Sequence, residues 1–236
     1  MRAAFSALEL IIAIALLGIL AGFGLSKSSP SLHHAALSTL SHIKYAQHLA
    51  LNDSLVFDTL RQTRYLTAMH PSIDPQKLLE SHKNFWQIQF HQTGIYTLNS
   101  YSIFFDTPRF SPTTDRDNQP QPGDIIARNG ANMRCLSGYS NVNISIECRN
   151  NAEVSVRLHE RFGVESIRIE GEPLCQEMGT FRIAFDALGA PYCTKSKSAH
   201  KLIAPLKIIL QKGAHQKAIC VMPQSGYSFL SKDGRC

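Results

Sequence analysis

The stretch FSALELIIAIALLGILAG, residues 5–22, decides how the rest of the chain is read. No charged residue occurs from Leu10 to Leu25. With Phe5 to Leu8 added, the apolar run covers about 21 residues, or roughly 31 Å of helix, the thickness of a hydrocarbon core. Glu9 is the exception. A leucine there would insert more easily, and an ionisable group in lipid costs about 2–3 kcal/mol at the bilayer centre and normally marks a function. A cleaved signal peptide, with Met1-Arg2 as its basic region, explains neither the length of the run nor Glu9. It also does not explain the continuation, because residues 31–53 keep a helical rhythm through Leu32, Ala36, Leu40, Ile43, Gln47 and Ala50. A plain signal anchor leaves Glu9 without a role.

The run Phe5-Ser6-Ala7-Leu8-Glu9-Leu10, followed by Leu17-Gly18-Ile19-Leu20-Ala21, resembles the N-terminal motif of the type IV pilin-like family. That family comprises type IV pilins, minor pilins and type II secretion pseudopilins. The resemblance implies a leader at 1–4, cut by a prepilin peptidase between Ala4 and Phe5, with N-methylation of Phe5. Ala4 stands where the family carries glycine. The resemblance gives Glu9 its role in assembly: its carboxylate meets the new ammonium at Phe5 of a neighbouring subunit. In low dielectric such a pair is strong only when both partners are present, and losing one costs about 3–5 kcal/mol. The implied fold is α+β and pilin-like. A long N-terminal helix, transmembrane over 5–25 and amphipathic over 26–55, packs on a C-terminal antiparallel β-sheet domain at 56–236. The implied location is the inner membrane, crossed once, with the domain in the periplasm. The implied partners are the prepilin peptidase and other pilin or pseudopilin subunits. A break in the helix is expected near Ser26 to Pro30, since Ser28-Ser29-Pro30 suits the start of a new helical segment.

The chain has 236 residues, enough for one domain of moderate size or two small ones, and is 44% hydrophobic with a net charge of +6. Six cysteines, Cys135, Cys148, Cys175, Cys193, Cys220 and Cys236, all fall in the second half without a Cys-x-x-Cys pair. That pattern argues against a zinc ribbon or a thioredoxin-type site and for disulfides in an oxidising compartment. The spacing leaves the connectivity open. Neighbour pairing is the simplest arrangement, and each bridge would close a loop of about 13–19 residues worth about 3 kcal/mol.

Past Asp53 the helical pattern fades. A short helix is expected over 76–82, and strands over 85–90, 95–98, 101–105, 142–148, 153–158, 164–169, 180–185, 207–210, 217–222 and 227–230. Four prolines make 106–124 an exposed loop. The segment from Phe181 to Gly189 is similar to an element of H-type pseudopilins and FimT-type minor pilins, as is the strand, glycine turn and final strand arrangement over 208–227. Tyr45-Ala46-Gln47 and Trp86 suit the same subgroup. Residues 107–175 exceed what that subgroup carries and read as an inserted subdomain.

The remaining motifs carry no chemistry. The ten histidines lack ligand spacing and read as surface residues, with His33 and His34 on different helix faces and His82 and His91 flanking a strand. Asp115-Arg116-Asp117-Asn118 lacks the closing glutamate of a calcium loop and reads as a solvated turn. No Gly-x-Ser-x-Gly or phosphate-binding loop occurs, so neither an enzyme nor a cofactor is expected. Lys195, Lys197, Lys201, Lys207, Lys212, Lys217, Lys232 and Arg235 crowd the C-terminal region. FimT-type minor pilins bind DNA through Gly-Arg-rich C-terminal segments, and Gly234-Arg235 resembles these. DNA capture for natural transformation is therefore the alternative function, with DNA as partner and salt-sensitive binding as its sign. A membrane-anchored periplasmic protein of other activity is the second alternative.

Overall fold

Small side chains decide how the first long helix is buried. Helix α1 (Leu32–Asn52) turns Leu32, Ala35, Ala36, Thr39, Ile43, Ala46 and Ala50 inward, a seam at three- and four-residue steps. Four of these seven are alanines, so the backbones of neighbouring strands approach closely. Thr39 satisfies its own hydroxyl by donating to the Ala35 carbonyl at 2.8 Å. Of the six rhythm positions, Leu40 and Gln47 sit on the rim, and Ala35, Thr39 and Ala46 take their places inside.

The computed structural model describes residues 11–15, 32–52, 85–94, 97–106, 120, 124–139, 146–195 and 198–236. The chain divides into two compact units, Met1–Ser31 and Leu32–Cys236. In the first, residues 11–15 are helical and Ile11, Ile12 and Ile14 are exposed.

The second unit is α+β, with antiparallel sheets. Its strands are β1 (Trp86–His91), β2 (Ser100–Phe105), β3 (Ile125–Ile126), β4 (Ser166–Glu170), β5 (Gln176–Glu177), β6 (Thr180–Phe185), β7 (Pro191–Lys195), β8 (Ser198–Lys201), β9 (Leu206–Lys212), β10 (His215–Val221) and β11 (Ser228–Leu230). One sheet runs β3-β2-β1-β6-β7-β8, with β5 beside β6; the other runs β11-β10-β9-β4. The core lies between α1 and both sheets. It holds Trp86, Ile88 and Phe90 of β1, Phe181, Ile183 and Phe185 of β6, and Leu206, Ile208 and Leu210 of β9. Phe90 stacks on Phe181 with ring centroids 4.5 Å apart, and Trp86 meets Phe105 edge to face at 5.9 Å.

Three expected strands take other forms. Thr97 to Asn99 is a turn, with Asn99 at φ 46° and its side chain donating to the carbonyls of Val164 and Glu165. The described part of 142–148 belongs to a short helix, α2 (Ile146–Asn150), where Cys148 is tied to Cys135. Residues 153–158 alternate like a strand, but the Glu153 carboxylate accepts from Ser155 N and caps a 3-10 turn at Val154–Val156. Helix α3 (Leu158–Phe162) follows and stops at Gly163, whose φ is 70°. A local side-chain bond outcompeted the ladder.

Described residues within 107–175 add Ala127, Leu136, Val156, Leu158, Phe162, Val164 and Ile167 to the main core, while Cys135 and Cys148 form a small cluster with Ile126 and Tyr139. The expected helix at 76–82, the bend near 26–30 and most of the 106–124 loop lie outside the described residues.

Candidate functional site

The sequence reading expects function on an N-terminal helix, so the place where α1 is held by the β-domain is the first candidate site. Near its middle, His42 Nδ1 lies 2.6 Å from the Tyr101 hydroxyl. Burial pushes the Tyr101 hydroxyl well above the usual tyrosine range, against hydrogen bonds to Ser38 and Thr39. Burial also lowers His42 to about 4, opposed by the charge of Glu153. A protonated phenol and a neutral imidazole share one hydrogen across this contact, and which group donates is set by the ring tautomer. One turn later the Tyr45 hydroxyl donates to the Arg128 carbonyl at 3.1 Å. At the helix end, Gln47 Nε2 donates to the carbonyls of Gly189 at 2.9 Å and Ser225 at 2.7 Å.

Glu153 anchors the loop under this seat. Asn132 and Asn129 donate to its Oε2 at 2.8 and 3.0 Å, and Ser155 N to its Oε1 at 3.2 Å. Burial works against charge there, but these donors hold its carboxyl below the usual carboxylate range. Tyr101 is fully buried, and the arrangement grips α1 against the β-domain.

The outer side of the larger sheet is also polar and buried, through Gln87, Gln89 and His91. His91 faces the Tyr139 ring at 4.8 Å, and burial, then Arg182, lowers it to about 3. The expectation of surface histidines therefore fails at His91, whose strand has neither face in water; His33 and His34 are both exposed. Arg182 pairs with Glu177 at 2.7 Å, and the Gln89 amide oriented oxygen-inward accepts from Arg182 at 2.9 and 3.2 Å.

A second candidate is a cavity of about 380 Å³ on the outer face of the smaller sheet, walled by the C-terminal loop. Cys220–Cys236 staples that loop down. Arg168, Lys207, Lys217 and Lys232 line the cavity, and the first two are held by groups of the same surface. Arg168 donates to Gln211 and Gln216 at 3.0 and 3.2 Å, and Lys207 bonds Glu170 at 2.6 Å and the Gly234 carbonyl at 3.1 Å. The hydrogen bond from Lys207 holds the Glu170 carboxyl below its usual range.

Among the described C-terminal basic residues, Lys207, Lys217 and Lys232 line this cavity, whereas Lys195 and Lys201 lie on β7 and β8 of the other sheet and Lys212 donates to the Phe162 carbonyl. Lys197 lies outside the described residues.

All six cysteines are bridged, Cys135–Cys148, Cys175–Cys193 and Cys220–Cys236, with Cα separations of 5.3, 4.4 and 5.5 Å. Among the described residues no group of three or more His, Cys, Asp or Glu side chains is arranged to hold a metal ion. Ala4, Phe5, Glu9, His82 and residues 115–118 lie outside the described residues, and among those described no helix is long and apolar enough to cross a membrane. The grips on α1 escaped the sequence because each joins positions far apart in the chain, 59 residues for His42 and Tyr101. No family model, no curated protein and no solved structure matches the chain.

Proposed function

We propose that the chain is a minor pilin or pseudopilin subunit, cut by a prepilin peptidase between Ala4 and Phe5 and then assembled into a pilus or pseudopilus. The observation that carries this reading is Glu9 itself. It follows Phe5 by four positions and opens a run free of charge from Leu10 to Leu25. A carboxylate at that depth is tolerated when it has a partner, and the amine freed at Phe5 of a neighbouring subunit supplies one.

Two features of the globular unit fit the role. A subunit drawn from a membrane by its helix needs that helix fastened to its domain, and α1 is fastened at His42, Tyr45 and Gln47. A small domain outside the cytoplasm gains stability from disulfides, and this one has three. The test is coexpression with a prepilin peptidase and a filament system, comparing wild type with Glu9→Leu. The variant should be membrane-inserted, processed and missing from filaments. Its normal incorporation would remove Glu9 from the mechanism.

A further inference from the structure

The cavity on the outer face of the smaller sheet has no part in holding α1. Its floor is Ile209 of β9 and Ala218 of β10, partners in register, and the small alanine gives it depth. The strands run β11-β10-β9-β4, so Arg168 of β4 stands on one side and Lys232, in the loop after β11, on the other. That loop is a built wall. Ser231 N donates to the Ala218 carbonyl at 2.9 Å and Ser231 Oγ to the Arg235 carbonyl at 2.7 Å. Lys207 Nζ holds the Gly234 carbonyl, and Cys236 is bridged to Cys220. A volume of about 380 Å³ held open in this way suits a small molecule.

The charges of the lining are unequal. Its acids are Glu170 and Asp233, and both are already answered: Lys207 bonds Glu170, and Asp233 Oδ1 accepts from Arg235 N at 3.1 Å. The Arg168 guanidinium is aimed by two neutral amide oxygens, those of Gln211 and Gln216, and its Nε stays 3.7 Å from Glu170. Neutral acceptors orient the planar fork without cancelling its charge. Lys217 and Lys232 add two further cations, so positive charge is in excess around an apolar floor.

We propose that this cavity binds a small phosphomonoester, its phosphate oxygens on Arg168 and Lys232 and its apolar part over Ile209 and Ala218. A dianion with three free oxygens meets cations on opposite sides of the cavity at once, whereas a carboxylate has one charge to share between them. The site goes beyond the filament reading and does not depend on it.

Phosphorus-31 NMR of phenyl phosphate, titrated with the full chain in nonionic detergent at low salt, tests it. Wild type should broaden the ester line saturably, and benzoate should displace the ester poorly. Arg168→Gln and Lys232→Ala should each weaken binding about tenfold. Ala218→Leu, which fills the floor, should abolish it, and Lys201→Ala, on the other sheet, should leave it unchanged. Lys232 is exposed, so its replacement decides the matter even where Ala218→Leu perturbs the sheet. The absence of saturable binding overturns the proposal, and duplex DNA bound instead would assign the same cations to a nucleic acid. Equal weakening by Lys201→Ala overturns it by reducing the effect to surface charge. So does binding that ignores Lys232→Ala, or displacement by benzoate as complete as by inorganic phosphate.

Discussion

His42 and His91 are held neutral by burial, at about 4 and about 3. An unfolded chain protonates both near the ordinary histidine value of about 6.5. Between that value and the folded ones the unfolded state binds more protons, so stability falls as pH drops. Each histidine contributes about 1.4 kcal/mol per pH unit to that fall. Urea unfolding of the full chain in detergent should therefore show a lower midpoint at pH 5 than at pH 7, and replacing His91 by Gln should flatten the difference. An unchanged midpoint across that range contradicts neutral burial. A second residue-scale constraint is Gly226, at φ 65°, where a Cβ would lie 2.5 Å from both Gln47 Nε2 and the Gly189 carbonyl. Gly226→Ala should cost about 2–3 kcal/mol and loosen the end of α1, seen as faster amide exchange over its last turn.

At the scale of elements, α1 is held by a narrow seam of alanines, and adding volume there is felt on both sheets. Ala46→Leu should destabilise by about 1–3 kcal/mol, measured by denaturant unfolding with α1 helicity as the probe. Cys236→Ser opens the bridge that closes the C-terminal loop over β10 and should cost about 2–3 kcal/mol. The elements that sequence pattern revealed are those whose apolar residues recur: α1 by its three- and four-residue steps, and β1, β2, β4, β6, β9, β10 and β11 as short runs rich in apolar side chains. Strands β3, β5, β7 and β8 escaped. The first two are only two residues long, and Pro191 and the polar run Ser198–Lys201 carry no apolar alternation. Residues 153–158 misled because Val154 and Val156 alternate while the deciding interaction, Glu153 with Asn129, Asn132 and Ser155, joins parts that a linear reading keeps separate.

At the scale of the whole molecule, the N-terminal segment and the disulfide-bound α+β unit carry different parts of the account. The unit explains how α1 is gripped. The first residues explain why a carboxylate sits in an otherwise apolar run. The proposed function rests only on that run, because the chemistry it invokes is local: one aromatic, one acid four residues later and an apolar stretch of membrane length. The measurement that tests the central claim most directly is the intact and N-terminal peptide mass of the protein purified from cells containing a prepilin peptidase. The account predicts a chain lacking Met1 to Ala4 and beginning at a methylated Phe5. A chain that still begins at Met1, with an unmodified amine, contradicts it.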